Sequence, residues 1–83
     1  MDRVEEAVLN ALRAVVPACD PASLAPDRPF RDQMEFDSID FLNFVMKLET
    51  MLDIRVAEPD YPRLITLDGC RAHLAALAAQ SPA

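Results

Sequence analysis

Four prolines, at positions 17, 21, 26 and 29, divide the first half of this chain more firmly than any other feature. Proline cannot continue a helical hydrogen-bond ladder and restricts the residue before it, so a helix that precedes Pro17 must end there. Residues 17–37 are therefore predicted to form a long connection, and connections of that length are generally functional or disordered. We expect an ordered loop that is held to the core by Leu24 and Phe30.

The segments outside this connection carry helical patterns. Residues 2–16 place apolar side chains on one stripe and crowd acidic residues into the first turn, as an amphipathic helix does. Thr66 suits the N-cap of a last helix over about 67–79. The prolines within 53–65 limit that stretch to a connection with about a turn of helix. Gly69 lowers helix propensity near the start of the last helix, and nothing in the sequence explains it.

Residues 38–52 carry the most informative pattern, because they form two apolar stripes instead of one. At about 100° per residue, one stripe suits burial against a small bundle. The second is surplus, and surplus exposed apolar surface usually marks an interaction site; the alternative is a central helix that is buried on both sides. The predicted buried face is Phe41, Phe44, Val45, Leu48 and Leu52, and the predicted exposed face is Ile39, Leu42 and Met46, with Asn43 and Thr50 beside them.

Composition indicates a small helical protein whose partners are other proteins. Eighty-three residues that are 52% hydrophobic with a single glycine suit one packed domain over residues 1–83. A net charge of −6 disfavours nucleic acid, whose phosphates attract Lys- and Arg-rich surfaces. Acidic residues interrupt any N-terminal signal, no apolar run is long enough for a membrane span, and Cys19 and Cys70 lack disulfide or metal spacing. We expect a cytoplasmic monomer that does not bind membranes, with reduced thiols.

Few residues can be assigned to chemistry. His73, the only histidine, has no Ser or Cys partner at a recognisable spacing, so we expect a surface or flanking residue. The carboxylates lack the spacing of an acid/base pair or of a cation loop. Ser38 differs, because it follows Asp37 at the start of the second helix, where free backbone N–H groups favour a phosphate. Position alone leaves two interpretations open, a phosphate attachment point and an ordinary helix cap.

The residues around Ser38 resemble a known family. The sequence Asp-Ser-Ile-Asp at 37–40 is similar to the Asp-Ser-Leu-Asp signature of acyl carrier proteins, in which the serine bears 4′-phosphopantetheine. The similarity extends over roughly residues 2–79. Its clearest segments are the lead-in at 30–38, Phe-Val-Met-Lys-Leu-Glu at 44–49, and the stretch 53–67 through the family's short third helix.

This resemblance implies an all-α fold, a small four-helix bundle of the acyl-carrier type with a long first loop and a short third helix. It implies no catalysis by the chain itself. A phosphopantetheinyl transferase would attach 4′-phosphopantetheine to Ser38, with Asp37 as the companion residue, and the arm would carry an acyl group as a thioester. Further partners would be acyl-activating, acyltransferase or ketosynthase-type enzymes. The face that they would bind is Ile39, Asp40, Leu42, Asn43 and Met46.

One departure from the family pattern lies directly before the signature. Glu35-Phe36 replaces the usual Gly-Ala, so a small flexible pair becomes a charged residue and a bulky ring. Three roles for Phe36 follow: it shields the thioester arm, it shapes partner choice, or it anchors the loop in the core.

A second departure concerns charge. Asn43 and Thr50 stand where carriers of fatty-acid synthesis often have glutamates, and residues 38–52 carry a net charge of only −1, from Asp40, Glu49 and Lys47. Steering toward basic partners should therefore be weak. These differences indicate a specialised carrier for a dedicated lipid or polyketide-type pathway. The alternatives are an aminoacyl or peptidyl carrier, and a non-carrier helical interaction module in which Ser38 only caps the helix.

Overall fold

The structure is a computed structural model that describes residues 3–80. In it the chain folds into three α-helices and one longer 3-10 helix. Helix α1 spans Arg3–Val15, α2 spans Ser38–Leu52, the 3-10 helix spans Glu58–Leu64, and α3 spans Leu67–Gln80. The first loop contains two short 3-10 turns, Pro21–Ser23 and Phe30–Asp32. The described residues form no strand. The predicted all-α, four-helix fold with a long first loop is confirmed, and position 2 of the first predicted helix lies outside the described residues.

The apolar stripes of the helices meet in one core. Helix α1 packs against both α2 and α3, and no polar or charged residue between positions 3 and 80 is buried. Burying a large apolar side chain stabilises a fold by about 1.5–3 kcal/mol, so this packing outweighs surface ion pairs such as that between Arg71 and Glu5 (3.5 Å). The buried side chains are Ala7, Val8, Ala11 and Leu12 of α1, Phe44, Val45, Leu48 and Leu52 of α2, Leu67, Cys70 and Leu74 of α3, and Phe30, Val56 and Leu64 of the connecting segments.

The first loop is ordered by contacts with the far end of the chain. Phe30 is 1% exposed, and Leu24 packs against the core at partial burial, so both predicted anchors are confirmed. The Phe30 backbone N–H donates to the carbonyl of Ile65 (2.9 Å). The Asp68 N–H, in the first turn of α3, donates to the carbonyl of Pro26 (3.0 Å). The loop thereby satisfies a backbone donor that a helix start leaves without an intrahelical partner.

Gln33 closes the loop on itself, and sequence patterns gave no sign of this. Its side-chain Oε1 accepts from the Ala25 N–H (2.7 Å), while Nε2 donates to the carbonyls of Ala25 (3.0 Å) and Arg28 (2.9 Å). A single amide thus replaces the regular hydrogen bonds that a stretch rich in proline cannot make. The three bonds fix the loop ahead of α2.

The segment before α3 is longer than predicted. We expected about a turn of helix within 53–65, but the 3-10 helix runs for seven residues, Glu58–Leu64, with Pro62 inside it. Proline fixes φ near −65°, which lies within the range of 3-10 geometry, so both prolines are compatible with this helix, whereas Pro62 inside it would break an α-helix. The buried Leu64 then anchors its end in the core.

Gly69 is explained by the junction between the 3-10 helix and α3. Thr66 caps α3 as predicted, because its Oγ1 accepts from the Gly69 N–H (2.9 Å). A Cβ at position 69 would lie far inside van der Waals contact with the Arg63 carbonyl oxygen and 3.0 Å from Thr66 Oγ1. Only glycine lets α3 begin so close to the preceding backbone.

We predict that Gly69→Ala destabilises the protein by about 1–2 kcal/mol, because the clash with a backbone carbonyl exceeds the gain of roughly 1 kcal/mol in helix propensity. Urea unfolding followed by far-ultraviolet circular dichroism measures this difference. The matched control is Ala72→Gly at an exposed position of the same helix, which should cost about 0.5–1 kcal/mol through propensity alone. A stabilised Gly69→Ala variant would contradict the packing argument.

Candidate functional site

Two aspartates build the start of α2. Asp37 is the N-cap, with extended backbone (φ −88°, ψ −176°), and its Oδ1 accepts from the Asp40 N–H (2.8 Å). The Asp40 carboxylate reaches back and accepts from the Asp37 N–H (3.2 Å). This reciprocal pair is a capping box, which satisfies two backbone donors at once. The interpretation of Ser38 as the helix cap is therefore wrong, because Asp37 occupies that position.

Ser38 is the first residue of α2, and its side chain is free. It is exposed, and its Oγ makes no hydrogen bond with any residue between positions 3 and 80. The backbone N–H groups of Ser38 and Ile39 likewise have no partner within that part of the chain, as expected for the first turn of a helix. A nucleophilic hydroxyl, two free donors and the positive end of the helix dipole thus lie together.

All five aromatic side chains of the protein form one cluster beside Ser38. The ring of Phe36 lies 5.8 Å from Phe30 and 5.9 Å from Phe44, in edge-to-face geometry. Phe41 continues the cluster from Phe36 (6.3 Å) to Tyr61 (5.8 Å). Such pairs contribute about 0.5–1.5 kcal/mol beyond burial. Of the three roles considered for Phe36, the structure therefore shows the anchoring one; shielding and partner choice stay predictions.

A groove of about 210 Å³ opens between the first loop and the start of α2. Ser38 and Asp37 line it together with the rings of Phe36 and Phe41, and with two residues that sequence reasoning did not single out, Arg31 and Ile65. The only feature of the sequence that points to Arg31 is its position directly after Phe30, which anchors the loop. Ile65 is distant in sequence, and only the folding of the 3-10 helix brings it to this end of α2.

The exposed stripe of α2 has the predicted composition. Ile39 is 69% exposed, Leu42 47% and Met46 61%, while Asn43 beside them is also exposed. The alternative of a helix buried on both sides is wrong, since an 83-residue bundle leaves one side of α2 uncovered. Asp40 lies at the edge of this stripe, half-buried, with its carboxylate engaged in the capping box.

His73 does not line the groove beside Ser38. We expect His73 at the surface or flanking another element. It flanks the 3-10 helix, with Nε2 3.6 Å from Asp60 Oδ2, and its side chain is only 16% exposed.

Residues 3–80 contain no group of three or more His, Cys, Asp or Glu that could hold a metal ion. Within the same range, no helix has both the length and the apolarity to cross a membrane.

The two thiols are free, as expected. Cys70 is fully buried, its Sγ lies 3.3 Å from the Leu64 carbonyl, and burial raises its pKa to about 12. Cys19 is partly buried, and its pKa is raised by that burial and by the negative charge of Asp20. Neither thiol is activated as a nucleophile, because activation requires a lowered pKa.

A bundle of this kind, with an exposed serine on the first turn of its second helix, has the features of a carrier domain, and comparison with known families agrees. The family model described as "Phosphopantetheine attachment site" matches residues 6–67, most of the chain. The chain therefore belongs to this family, whose members carry covalently attached 4′-phosphopantetheine and are generally non-catalytic carriers. No solved structure matches the chain.

We predict that iodoacetamide at pH 8 alkylates Cys19 first and leaves Cys70 almost untouched in the folded protein. A pKa of about 12 instead of 9.0 lowers the thiolate fraction of Cys70 about a thousandfold at this pH, and the thiolate is the reactive form. Labelling should rise as the pH approaches 12. Mass spectrometry of the Cys19→Ser variant isolates Cys70, with the urea-unfolded variant as control. Equal labelling rates in the folded and unfolded variant would contradict the burial of this thiol.

Proposed function

We propose that this protein is an acyl carrier protein that holds acyl groups as thioesters on 4′-phosphopantetheine attached to Ser38. The observation that carries the proposal is the position of the Ser38 hydroxyl, exposed and free on the first turn of α2, inside the segment that the family model matches. Asp37 supports this role indirectly. By capping the helix itself, it leaves the serine hydroxyl available.

The residues at the start of α2 fit a phosphodiester. In the attachment step, Ser38 Oγ bonds to the phosphorus next to the pantetheine half of coenzyme A, the pyrophosphate bond breaks, the adenosine bisphosphate half leaves, and the hydroxyl proton passes to a base of the transferase. The free N–H groups of Ser38 and Ile39 and the helix dipole favour the anionic product. When bound, the cofactor supplies the thiol that carries the acyl group.

The exposed stripe supplies the docking face for the phosphopantetheinyl transferase and for acyl-activating, acyltransferase or ketosynthase-type enzymes. Three contiguous exposed apolar side chains on a helix that begins at the modified serine favour contact with proteins over contact with water. We assign this face to Ile39, Asp40, Leu42, Asn43 and Met46.

The pathway we propose is a dedicated lipid or polyketide-type one. The net charge of −1 over α2 supports it, because a mildly charged helix selects partners through apolar contacts more than through long-range steering. An aminoacyl or peptidyl carrier is the alternative within the same family. We also propose a single non-catalytic domain that acts as a monomer in the cytoplasm, and the free thiols Cys19 and Cys70 suit a reducing compartment.

We predict that incubation with coenzyme A and a broad-specificity phosphopantetheinyl transferase adds one phosphopantetheine per chain, and that Ser38→Ala abolishes the addition. Intact-mass spectrometry measures the adduct. Ser23→Ala is the matched control, because Ser23 is also exposed but its hydroxyl donates to the Asp20 carbonyl (3.0 Å), away from α2; it should be modified like the wild type. Wild-type protein that several transferases leave unmodified would overturn the proposal.

We predict that Leu42→Asp lowers kcat/KM for this modification about tenfold, as expected when roughly 1.4 kcal/mol of apolar contact with a partner is lost. Met46→Ala should act in the same direction with a smaller effect. The control is Met51→Asp, a residue of similar exposure (41% against 47%) on another side of α2, which should retain the wild-type rate.

Stability separates a docking role from a core role. Leu42→Asp should remain folded, within about 1 kcal/mol of the wild type in urea unfolding, because nearly half of this side chain is already exposed. A Leu42→Asp protein that fails to fold would show that this face belongs to the core and would contradict the assignment of the stripe.

A further inference from the structure

The groove beside Ser38 combines an apolar wall with a single cation. Its sides are the rings of Phe36 and Phe41 and the side chain of Ile65, which is 42% exposed although it is apolar. Arg31 also lines it, and the side chain of Arg31 makes no ion pair with any residue from 3 to 80. An uncovered apolar wall next to an unpaired guanidinium suits a ligand with an apolar part and an anionic part.

Arg31 is the one cationic side chain among the residues that line the groove, so an anion bound there would pair with it. The other charged group on the groove is Asp37, and Asp40 lies against Asp37 through the capping box. A phosphodiester on Ser38 would therefore add a third negative charge to two carboxylates. Arg31, on the same groove, is the cation that offsets this repulsion, and a guanidinium matches phosphate oxygens in geometry as well as in charge.

The size of the groove selects one part of the phosphopantetheine arm. A cavity of about 150 Å³ is known to hold benzene, so 210 Å³ accommodates a compact apolar group with few further atoms. The arm has one such group next to its phosphate, the carbon that bears two methyls. The groove does not continue into the core, because Phe30, which lines it, is 1% exposed and packs against Phe44, which is 0% exposed.

We propose that this groove binds the phosphate-proximal part of the arm, with Arg31 pairing with the phosphodiester and with Phe36, Phe41 and Ile65 contacting the dimethyl carbon. The inference rests on the proposed attachment to Ser38. It gives Phe36 a second role, since the ring that anchors the loop also forms a wall of the groove. The amide-bearing part of the arm and its thiol remain outside, so the first carbons after the phosphate are held while the thiol stays accessible.

Isotope-filtered nuclear Overhauser spectroscopy tests the proposal on the modified protein. With ¹³C,¹⁵N-labelled protein and an unlabelled arm, we expect cross-peaks between the two arm methyls and the side chains of Phe41 and Ile65. Arg31→Gln should weaken them about two- to fivefold, the range for a solvent-exposed ion pair. Raising the salt concentration should weaken them in the wild type but not in Arg31→Gln, because salt screens a charge pair and not an apolar contact.

Two matched controls isolate the groove. Arg28→Gln removes another exposed arginine of the same loop, one that does not line the groove, and Met51→Ser removes an apolar side chain of similar exposure to Ile65 (41% against 42%). Both should retain the cross-peaks with Phe41 and Ile65, whereas Ile65→Ser should weaken the remaining cross-peaks with Phe41. Fully modified wild-type protein without cross-peaks, or equal losses in Arg28→Gln and Arg31→Gln, would overturn the inference and leave the attachment intact. Absence of the adduct by intact mass would instead overturn the proposed function.

Discussion

The burial of Phe30 is the contact on which the arrangement of the site depends. Its ring packs against Phe44 of α2 and Phe36 of the loop, while its backbone N–H bonds to the Ile65 carbonyl just before α3. Phe30 therefore joins the end of the first loop, α2 and the distant segment before α3. The groove beside Ser38 is lined by Phe30 itself and by residues of each of these segments, so its shape depends on the contacts that Phe30 makes. The hydrogen bonds of Gln33 close the loop on itself, whereas Phe30 fixes the loop to the rest of the bundle.

The capping box separates stability from reactivity at the start of α2. An N-cap serine would hold its hydroxyl in a hydrogen bond to the helix, which competes with modification of the same oxygen. Here the side chains of Asp37 and Asp40 each accept from the other's backbone N–H, and the hydroxyl of Ser38 between them is left free. Their carboxylates also complement the positive end of the helix dipole. The same two carboxylates would repel a phosphate on Ser38. In the proposed arrangement, the guanidinium of Arg31 offsets this repulsion.

The features that were predicted correctly from the sequence depend on residues that are close together in the chain. Helical periodicity placed α2 and its two stripes, and proline chemistry predicted the end of α1 and the long loop. The cap was assigned to Ser38 in one interpretation because Asp and Ser both favour that position, and only the backbone geometry at Asp37 decides between them. Gly69 and Ile65 could not be interpreted from sequence, because each depends on where the 3-10 helix brings the chain: Gly69 meets the Arg63 carbonyl, and Ile65 reaches Ser38's groove.

Because all five aromatic rings belong to one cluster, that cluster also determines the near-ultraviolet spectra of the protein. Tyr61 is the only tyrosine, and the chain has no tryptophan, so this ring, 5.8 Å from Phe41, is its one long-wavelength chromophore. Its ultraviolet fluorescence and near-ultraviolet circular dichroism therefore arise from the cluster beside Ser38 and not from an average over the fold. The spectra of Tyr61 therefore report on the packing of this aromatic cluster, two of whose rings, Phe36 and Phe41, line the groove that Ser38 also lines.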